Sequence, residues 1–434
     1  MLKCKFFLQG QKLYFTFVRN FCLWAVPTCF LYFMSFFRSA LLGGWLLLAS
    51  VMQAQAGSGA TPVEQSALYG TEEVTFPNAI DKLQLAGTLT VPQGAGPFPA
   101  VVLISDMGAQ NRDGSVRGYQ PLRLLAEHLS EQGIAVLRFD DRGVGKSEGD
   151  NSATTTLDRV KDVQAAMLYL RTRPEIAAAR VGVIGHGEGG NVGLLAAAQP
   201  LPPAFVVTLA ASGQVGRDLL ANQQAAQRMV ASADTSQTLG KRRMLAQQAL
   251  EQQVASMRAS GANAAQVETA VAKYQLNQKT EAQNALTKAL AREQAMLEIV
   301  RQNPDNAQVQ AILANMMRQD NAELDPSQAR TLAARRTTTW YRSYLSFDPQ
   351  QYLSNVKCPV LLMQGLDDEE VAPTNLALLE KGLKANRTVT VQKFEGVNHV
   401  FQAPETHWPL VDNVRQPIFS YIALSAIREW VRQR

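Results

Sequence analysis

The chain has 434 residues, 46% of them hydrophobic and 18% charged, a composition that suits a large globular core and excludes a disordered or fibrous protein. The net charge of +5 arises within residues 1–56, which hold five basic and no acidic side chains, so the remainder carries 42 − 5 = 37 basic against 37 acidic residues. A balanced remainder excludes a basic surface for nucleic acid.

Residues 1–56 have the pattern of a targeting segment. A short basic stretch begins at Met34, residues 40–52 are apolar, and Ala54–Ala56 has the small-x-small form of a cleavage site. We expect a signal peptide that starts at Met34 and is cleaved before Gly57, and hence a periplasmic or secreted protein. A longer leader or an uncleaved anchor stays open, but the apolar run is too short to favour a stable membrane span after cleavage.

Cleavage before Gly57 also determines which cysteines the exported protein retains. Cys4, Cys22 and Cys29 would leave with the leader, and Cys358 would remain alone. We therefore expect no intramolecular disulfide and no cysteine-based metal site in the exported protein.

Two ranges, 57–212 and 345–434, have the pattern of a mostly parallel sheet. Their strands are predicted at 73–76, 82–91, 100–105, 134–139, 181–185, 204–209, 359–364 and 388–394. The first two alternate apolar and polar residues like an antiparallel pair, whereas the others are continuous apolar runs typical of buried parallel strands. Helical stretches separate the runs, and a closing helix is predicted from Pro417 to Arg432. This alternation predicts an α/β fold with helices on both faces of the sheet.

The alternation stops over residues 213–344. Alanine and glutamine dominate this range, and apolar residues recur at helical spacing, for example at Leu286, Leu290 and Leu297. An apolar stripe kept over several helices favours a packed insertion over a spacer. We expect a helical lid inserted into the α/β core.

Gly185–Gly190, with the sequence GHGEGG, follows a predicted strand and precedes a predicted helix. This is the context of a nucleophile elbow, a sharp turn whose middle residue is ordinarily a serine. That middle residue is Gly187, and glycine adopts strained turn conformations at little cost. The turn can therefore form without the serine.

Two further loops supply the partners of an elbow. Asp368 follows the predicted strand 359–364, and His399 follows the next one. The order elbow, acid, base is the order used by hydrolases of this kind, in which the acid orients the imidazole. We predict Asp368 and His399 as catalytic partners, with Asp367 as a solvated loop charge.

Four motifs resemble secreted α/β-hydrolases of the carboxylesterase type, whose motifs read ISGSGPQDRD, DDRGVGKS, GHSEGG and GLNH. The corresponding segments here are Ile104–Asp113, Asp140–Ser147, Gly185–Gly190 and Gly396–His399. The resemblance covers the chain from about Thr75 to the C-terminus and is weakest in the predicted lid. It implies an α/β-hydrolase fold and carboxylic ester hydrolysis.

The resemblance also exposes two departures. The family's nucleophilic serine aligns with Gly187, and a glycine of its oxyanion loop aligns with Asp106. The backbone N–H groups of Glu188 and Met107 are the expected oxyanion donors. A carboxylate at Asp106 would oppose the developing negative charge unless it points away from them. The family has the same His and Glu beside its serine, so neither His186 nor Glu188 is expected to replace it.

Two functions remain open. Loss of such a serine costs roughly a million-fold in turnover, which predicts a degenerate esterase that still binds a small ester or acyl ligand. The alternative is an active hydrolase in which Asp368 and His399 activate a water held in the space that the serine leaves. The chain lacks a dinucleotide fingerprint and the common zinc motifs, so we expect no cofactor and no metal.

Overall fold

The computed structural model describes residues 3–8, 11–16, 68–234 and 237–434. Contacts divide the chain into two compact units, residues 1–63 and 64–434. In the first unit, strands β1 (Lys3–Leu8) and β2 (Gln11–Thr16) form an antiparallel hairpin. The predicted leader from Met34 to Ala56 lies outside the described residues and stays a prediction. Within the described part of the chain, no helix is both long and apolar enough to span a bilayer.

The second unit is built on a sheet of eight strands among the described residues, with the order β10-β9-β8-β7-β5-β6-β4-β3. Strands β3 and β4 pair antiparallel, and β4 runs antiparallel to β6, whereas all other neighbours are parallel. The strand bounds are β3 Tyr69–Asn78, β4 Leu83–Pro92, β5 Phe98–Ile104, β6 Ala135–Phe139, β7 Ile176–His186, β8 Val206–Leu209, β9 Val360–Gly365 and β10 Val389–Phe394. A short separate hairpin joins β11 Leu410–Val411 to β12 Val414–Arg415.

Helices cover both faces of this sheet. Along β5, Val102 and Ile104 belong to one hydrophobic cluster and Val101 and Leu103 to another. Because successive side chains of a strand point to opposite faces, both faces are buried. The flanking helices are α1 Pro121–Glu131, α2 Thr156–Thr172, α3 Glu188–Ala197, α10 Gln350–Leu353, α11 Asn375–Gly382 and α12 Tyr421–Arg432, with α4 to α9 described below. The predicted α/β-hydrolase fold is confirmed.

A helical insertion separates β8 from β9, although these strands are parallel neighbours in the sheet. Its helices are α4 Gly216–Asp234, α5 Gln237–Ala259, α6 Ala264–Gln302, α7 Asn306–Asp320, α8 Pro326–Arg335 and α9 Thr339–Leu345. Buried residues of α6 and α7, such as Leu297 and Leu313, belong to the same hydrophobic cluster as the sheet. The insertion therefore packs as part of the second unit.

The turn between β7 and α3 depends on close backbone approach. A Cβ added at Gly185 would lie 2.0 Å from the carbonyl oxygen of Gly189. Real Cβ atoms do not approach so closely, so only glycine lets the strand and the first turn of the helix meet at this distance. This contact fixes the direction in which Gly187 is presented.

Candidate active site

Gly187 is the N-cap of α3 and has φ 52° and ψ −119°. Its N–H donates to the carbonyl of Leu209 at the end of β8, 2.8 Å away. The turn therefore keeps the strained geometry of a nucleophile elbow although no serine is present. A Cβ placed on Gly187 would lie only 1.8 Å from Oδ1 of Asp106, so another side chain already fills the space in front of the elbow.

That side chain is Asp106, which follows β5 and belongs to the loop expected to shape the oxyanion site. Its Oδ1 accepts a hydrogen bond from the backbone N–H of Glu188 at 2.8 Å. Its Oδ2 lies 3.0 Å from Nε2 of His399. The carboxylate thus contacts the two groups that a serine oxygen and an oxyanion would otherwise contact, and it does not point away.

His399 and Asp368 meet behind this carboxylate. Nδ1 of His399 lies 2.9 Å from Oδ2 of Asp368. The other oxygen of Asp368 accepts backbone N–H groups from Glu370 at 2.9 Å and Val371 at 2.8 Å, so the carboxylate is held by its own loop. Asp367 is exposed and is not part of this arrangement. The structure thus brings Asp106, His399 and Asp368 into one line.

Electrostatics favour a charged imidazole between two carboxylates. Burial opposes charge on His399, but hydrogen bonds and attraction from Asp106 and Asp368 raise its pKa well above the usual 6.5. Burial likewise opposes charge on Asp106, but the His399 contact, both nearby histidines and the Glu188 N–H hold its pKa well below 3.8. Both shifts favour an ionised Asp106 beside a protonated His399.

His186 packs against this line from the side of the elbow. Its ring centroid lies 4.7 Å from that of His399, and its Nε2 is 2.8 Å from the backbone oxygen of His399. One ligand atom from each of Asp106, His186 and His399 lies within 4.8 Å of the other two. These are the described residues best placed to hold a metal ion, which the sequence patterns did not suggest.

Glu188, the residue after the elbow, turns its side chain into a buried polar cluster. Its carboxylate accepts from Thr156 Oγ1 at 2.6 Å and from Arg159 Nη1 at 3.1 Å. Trp340 Nε1, on α9 of the insertion, lies 3.1 Å from both carboxylate oxygens. Glu188 is therefore fully engaged and is not a substitute nucleophile.

Arg159 and Trp340 were not identified from the sequence. Arg159 lies on α2 with Val163 and Ala166 at helical spacing, and all three are buried. An arginine within a buried apolar stripe is the signal that could have indicated a role. Trp340 lies in the insertion, where the sequence gives no sign that it faces the elbow.

The intact DDRGVGKS segment braces the loop that carries Asp106. Asp141 accepts from Ser105 Oγ at 2.8 Å and from the backbone N–H of Gln110 at 3.0 Å. Asp140 pairs with Arg112 at 2.7 Å. Both ends of the loop are thus fixed by buried carboxylates, and Asp106 is held in place from its backbone. Met107, the other expected oxyanion donor, packs its side chain against the core.

A pocket of about 310 Å³ opens beside the elbow. It touches Gly108 of the Asp106 loop and both members of the Glu188–Arg159 pair. Its remaining lining consists of Asn151, Ser152, Thr154, Thr338 and Trp340. The pocket lies between the core and the insertion and is large enough for a small ligand.

This geometry bears on the alternative that the sequence left open. In that alternative, the space left by the missing serine holds a water that His399 deprotonates. Instead the carboxylate of Asp106 occupies it and takes the Nε2 contact of His399. The cause is the second departure, because an aspartate at position 106 is long enough to reach the elbow.

Fold, elbow and acid–base pair define an α/β-hydrolase. Residues 81–408 match the X-Pro dipeptidyl-peptidase (S15) family, and the chain belongs to that family.

Curated relatives match shorter stretches. Esterase EstD of Thermotoga maritima is 33% identical over 105 residues, which are 24% of this chain and 25% of EstD. A putative carboxymethylenebutenolidase of Synechocystis sp. is 27% identical over 144 residues, 30% of this chain and 54% of that protein. The matched stretches thus span about a quarter and about half of these relatives. The family match and these partial matches together indicate an α/β-hydrolase, and the first of the two relatives is named an esterase.

Two solved structures are also similar. The Pyrococcus furiosus esterase Pf2001 has a TM-score of 0.48 and 14% identity, with 84% of this chain and 91% of that chain covered. The hypothetical protein PA2218 of Pseudomonas aeruginosa has a TM-score of 0.46 and 20% identity, with 85% and 95% covered.

Proposed function

We propose that the chain is a degenerate carboxylesterase-type hydrolase that has lost serine acyl chemistry and binds a small ester or acyl ligand beside the elbow. The observation that carries this proposal is the carboxylate of Asp106, which lies where a serine side chain would project from residue 187. Esterase-type relatives support the ester or acyl character of the ligand.

Acyl transfer by this fold needs a nucleophilic hydroxyl and unoccupied oxyanion donors. Gly187 supplies no hydroxyl, and Oδ1 of Asp106 already accepts the Glu188 N–H. A substrate carbonyl oxygen would have to displace a buried anion before it could receive that N–H. Neither requirement is therefore met, the first because of Gly187 and the second because of Asp106.

The pocket beside the elbow is the proposed ligand site. Its wall joins core residues such as Arg159 to Thr338 and Trp340 at the start of α9. Because the insertion contributes this wall, we propose that it acts as the lid predicted from the sequence. The hydroxyl groups of Ser152, Thr154 and Thr338 in its lining suit a small ligand that carries oxygen atoms.

The alternative, a water activated by Asp368 and His399, keeps one observation in its favour. The bond between Nδ1 of His399 and Asp368 is intact at 2.9 Å. A water could reach Nε2 only after Asp106 moves away, since its carboxylate lies 3.0 Å from that nitrogen. We therefore place this alternative second.

Reversion of the two departures tests the proposal. We compare the native chain with Gly187→Ser, Asp106→Gly and the double variant, using hydrolysis of short-chain aryl esters and labelling by a fluorophosphonate. Gly187→Ser alone should stay near background, because its Cβ would collide with Asp106. The double variant should gain ester hydrolysis and serine labelling.

Thermal unfolding of each variant serves as the control for folding, since serine at an elbow adds roughly 1–3 kcal/mol of strain. Fluorophosphonate labelling of a serine in the native chain would overturn the proposal. Ester hydrolysis by the native chain that is abolished by His399→Ala would instead establish the water-using alternative.

A further inference from the structure

The nucleophile position of this site is filled by an anion. The two departures from the family pattern act together, because Gly187 leaves the room that Asp106 occupies. Serine at 187 and aspartate at 106 could not coexist in this arrangement, since a Cβ at 187 would lie 1.8 Å from Oδ1. The pair of changes thus replaces an elbow hydroxyl by a carboxylate from the neighbouring loop.

We propose that Asp106 is a nucleophile toward saturated carbon, and that the chain hydrolyses small molecules carrying a halide-type leaving group on such a carbon. Carboxylates act as covalent nucleophiles in enzymes. The proposal uses the same pocket as the proposed function but adds a reaction to it. Loss of serine chemistry and gain of carboxylate chemistry are measured separately below.

The two carboxylate oxygens of Asp106 have different hydrogen-bond partners. Oδ1 faces the Glu188 N–H at 2.8 Å, which is the donor that would stabilise an oxyanion. Oδ2 faces Nε2 of His399 at 3.0 Å, and Asp368 supports the other ring nitrogen. One oxygen is therefore placed to become a carbonyl oxygen and the other to carry the substrate's alkyl group.

Asp106 is also the most accessible member of the line. Its side chain is 11% exposed, against 7% for His399 and none for Asp368. The pocket reaches Gly108, two residues along the same loop, and Glu188, whose N–H contacts Asp106. Asp106 is thus the most exposed side chain of the line, and the pocket reaches residues that lie next to it on both sides.

In the first step, Oδ2 attacks the carbon and displaces the halide with its bonding electrons. The product is an alkyl ester of Asp106, and the halide leaves as an anion. Alkylation removes one of the two negative charges that stabilise the imidazolium of His399. The ring then gives its proton to solvent and becomes a neutral base supported by Asp368.

In the second step, His399 takes a proton from water, and the resulting hydroxide adds to the carbonyl carbon of Asp106. The negative charge develops on Oδ1, where the Glu188 N–H receives it. Collapse of this intermediate expels the alkoxide, which takes the proton from His399 and leaves as the alcohol. The carboxylic acid of Asp106 then returns a proton to His399. Overall, alkyl halide and water give alcohol, halide and one proton.

The test uses the native full chain with propyl bromide, after removal of metal by a chelator. We expect bromide release above the buffer rate, and a loss to the buffer rate in Asp106→Asn. The matched control is Asp218→Asn, which replaces a partly exposed aspartate on α4 and should retain release. Propyl butyrate, which offers the same alkyl group on an acyl ester, should not be cleaved.

Two further measurements identify the covalent step. His399→Gln should accumulate a propyl adduct on the peptide that contains Asp106, whereas His407→Gln, an exposed histidine, should not. With excess native enzyme in heavy-oxygen water, the first turnover should place heavy oxygen in Asp106 and ordinary oxygen in propanol.

The outcomes that overturn the proposal are distinct. Heavy oxygen in the first propanol would show direct attack by water, and release that persists in folded Asp106→Asn would exclude the carboxylate. Activity that appears only on addition of zinc would assign the chemistry to a metal at Asp106, His186 and His399. Absence of both release and adduct in the folded native chain would leave Asp106 as a block alone, and the reversion experiment on Gly187 would still decide the proposed function.

Discussion

At the scale of single residues, the sequence identified the unusual residues of the site but not how their side chains are arranged. Gly187 and Asp106 stand out against the family motifs, and the order of Asp368 and His399 indicates an acid–base pair. The sequence does not reveal in which direction the side chain of Asp106 points, because positions 106 and 187 are far apart along the chain. Only the three-dimensional packing shows that the carboxylate enters the elbow and contacts His399.

Replacement of Asp106 by asparagine should lower the pKa of His399. The native ring lies between two carboxylates that raise its pKa, and the variant keeps only Asp368. Nuclear magnetic resonance titration of the His399 ring would measure this, with Asp218→Asn as the control. An unchanged His399 pKa in Asp106→Asn would contradict the placement of the carboxylate.

The pair of His399 and Asp106 should make the free energy of unfolding depend on pH in the alkaline range. The pKa of His399 is raised on folding, so its stabilising effect is fully present below its unfolded pKa of about 6.5 and is lost as pH rises through the folded value. The pKa of Asp106 is lowered, so its contribution is present above its unfolded pKa of about 3.9 and is lost as pH falls through the folded value. Urea unfolding across alkaline pH should therefore show a decline in the native chain that is weaker in Asp106→Asn. Equal slopes would contradict the coupling.

At the scale of elements, periodicity predicted the core because buried parallel strands are continuous apolar runs and the helices between them keep an apolar stripe. The ends of helices are set by local contacts that the hydrophobic periodicity does not reveal. The closing helix was predicted from Pro417, but α12 begins at Tyr421 because Ser420 caps it, its hydroxyl accepting from the N–H of Ala423. The sequence predicted a packed insertion, but it did not reveal the ion cluster that is buried within it.

That cluster is centred on Glu293 of α6. Glu293 is buried and accepts from Arg336 Nη1 at 2.8 Å and from Arg228 Nε at 3.0 Å. It therefore joins α6 to α4 and to the segment after α8. Removing one partner of a buried pair leaves an uncompensated charge and costs about 3–5 kcal/mol.

Glu293→Gln should accordingly lower the free energy of unfolding by several kcal/mol, about 3–5 if no rearrangement compensates. Glu298→Gln on the same helix is the matched control, since its pair with Arg301 is partly exposed and exposed pairs contribute little to stability. Urea unfolding measures both. Similar losses in the two variants would show that Glu293 does not hold the insertion together.

At the scale of the whole molecule, charge and thiol content depend on whether residues 1–56 remain. The excess positive charge falls in that segment, so the exported protein is expected to be nearly neutral. The segment itself is predicted from its pattern alone, because export is decided by recognition and cleavage and not by packing against the core.

Expression of the full chain in a bacterium with an outer membrane should give an exported form that begins at Gly57 and contains one thiol. That thiol is Cys358, which is partly buried, and burial raises its pKa to about 11. It should therefore react slowly with a thiol reagent at neutral pH in the folded protein, because the thiolate is the reacting form, and completely after unfolding. Intact mass and thiol titration of the folded and unfolded protein measure both properties.

Replacement of Ala54 and Ala56 by bulky residues is the control, since it should block cleavage and retain Cys22 and Cys29. A mature native form that still contains those cysteines would show that the segment is an anchor or a longer leader.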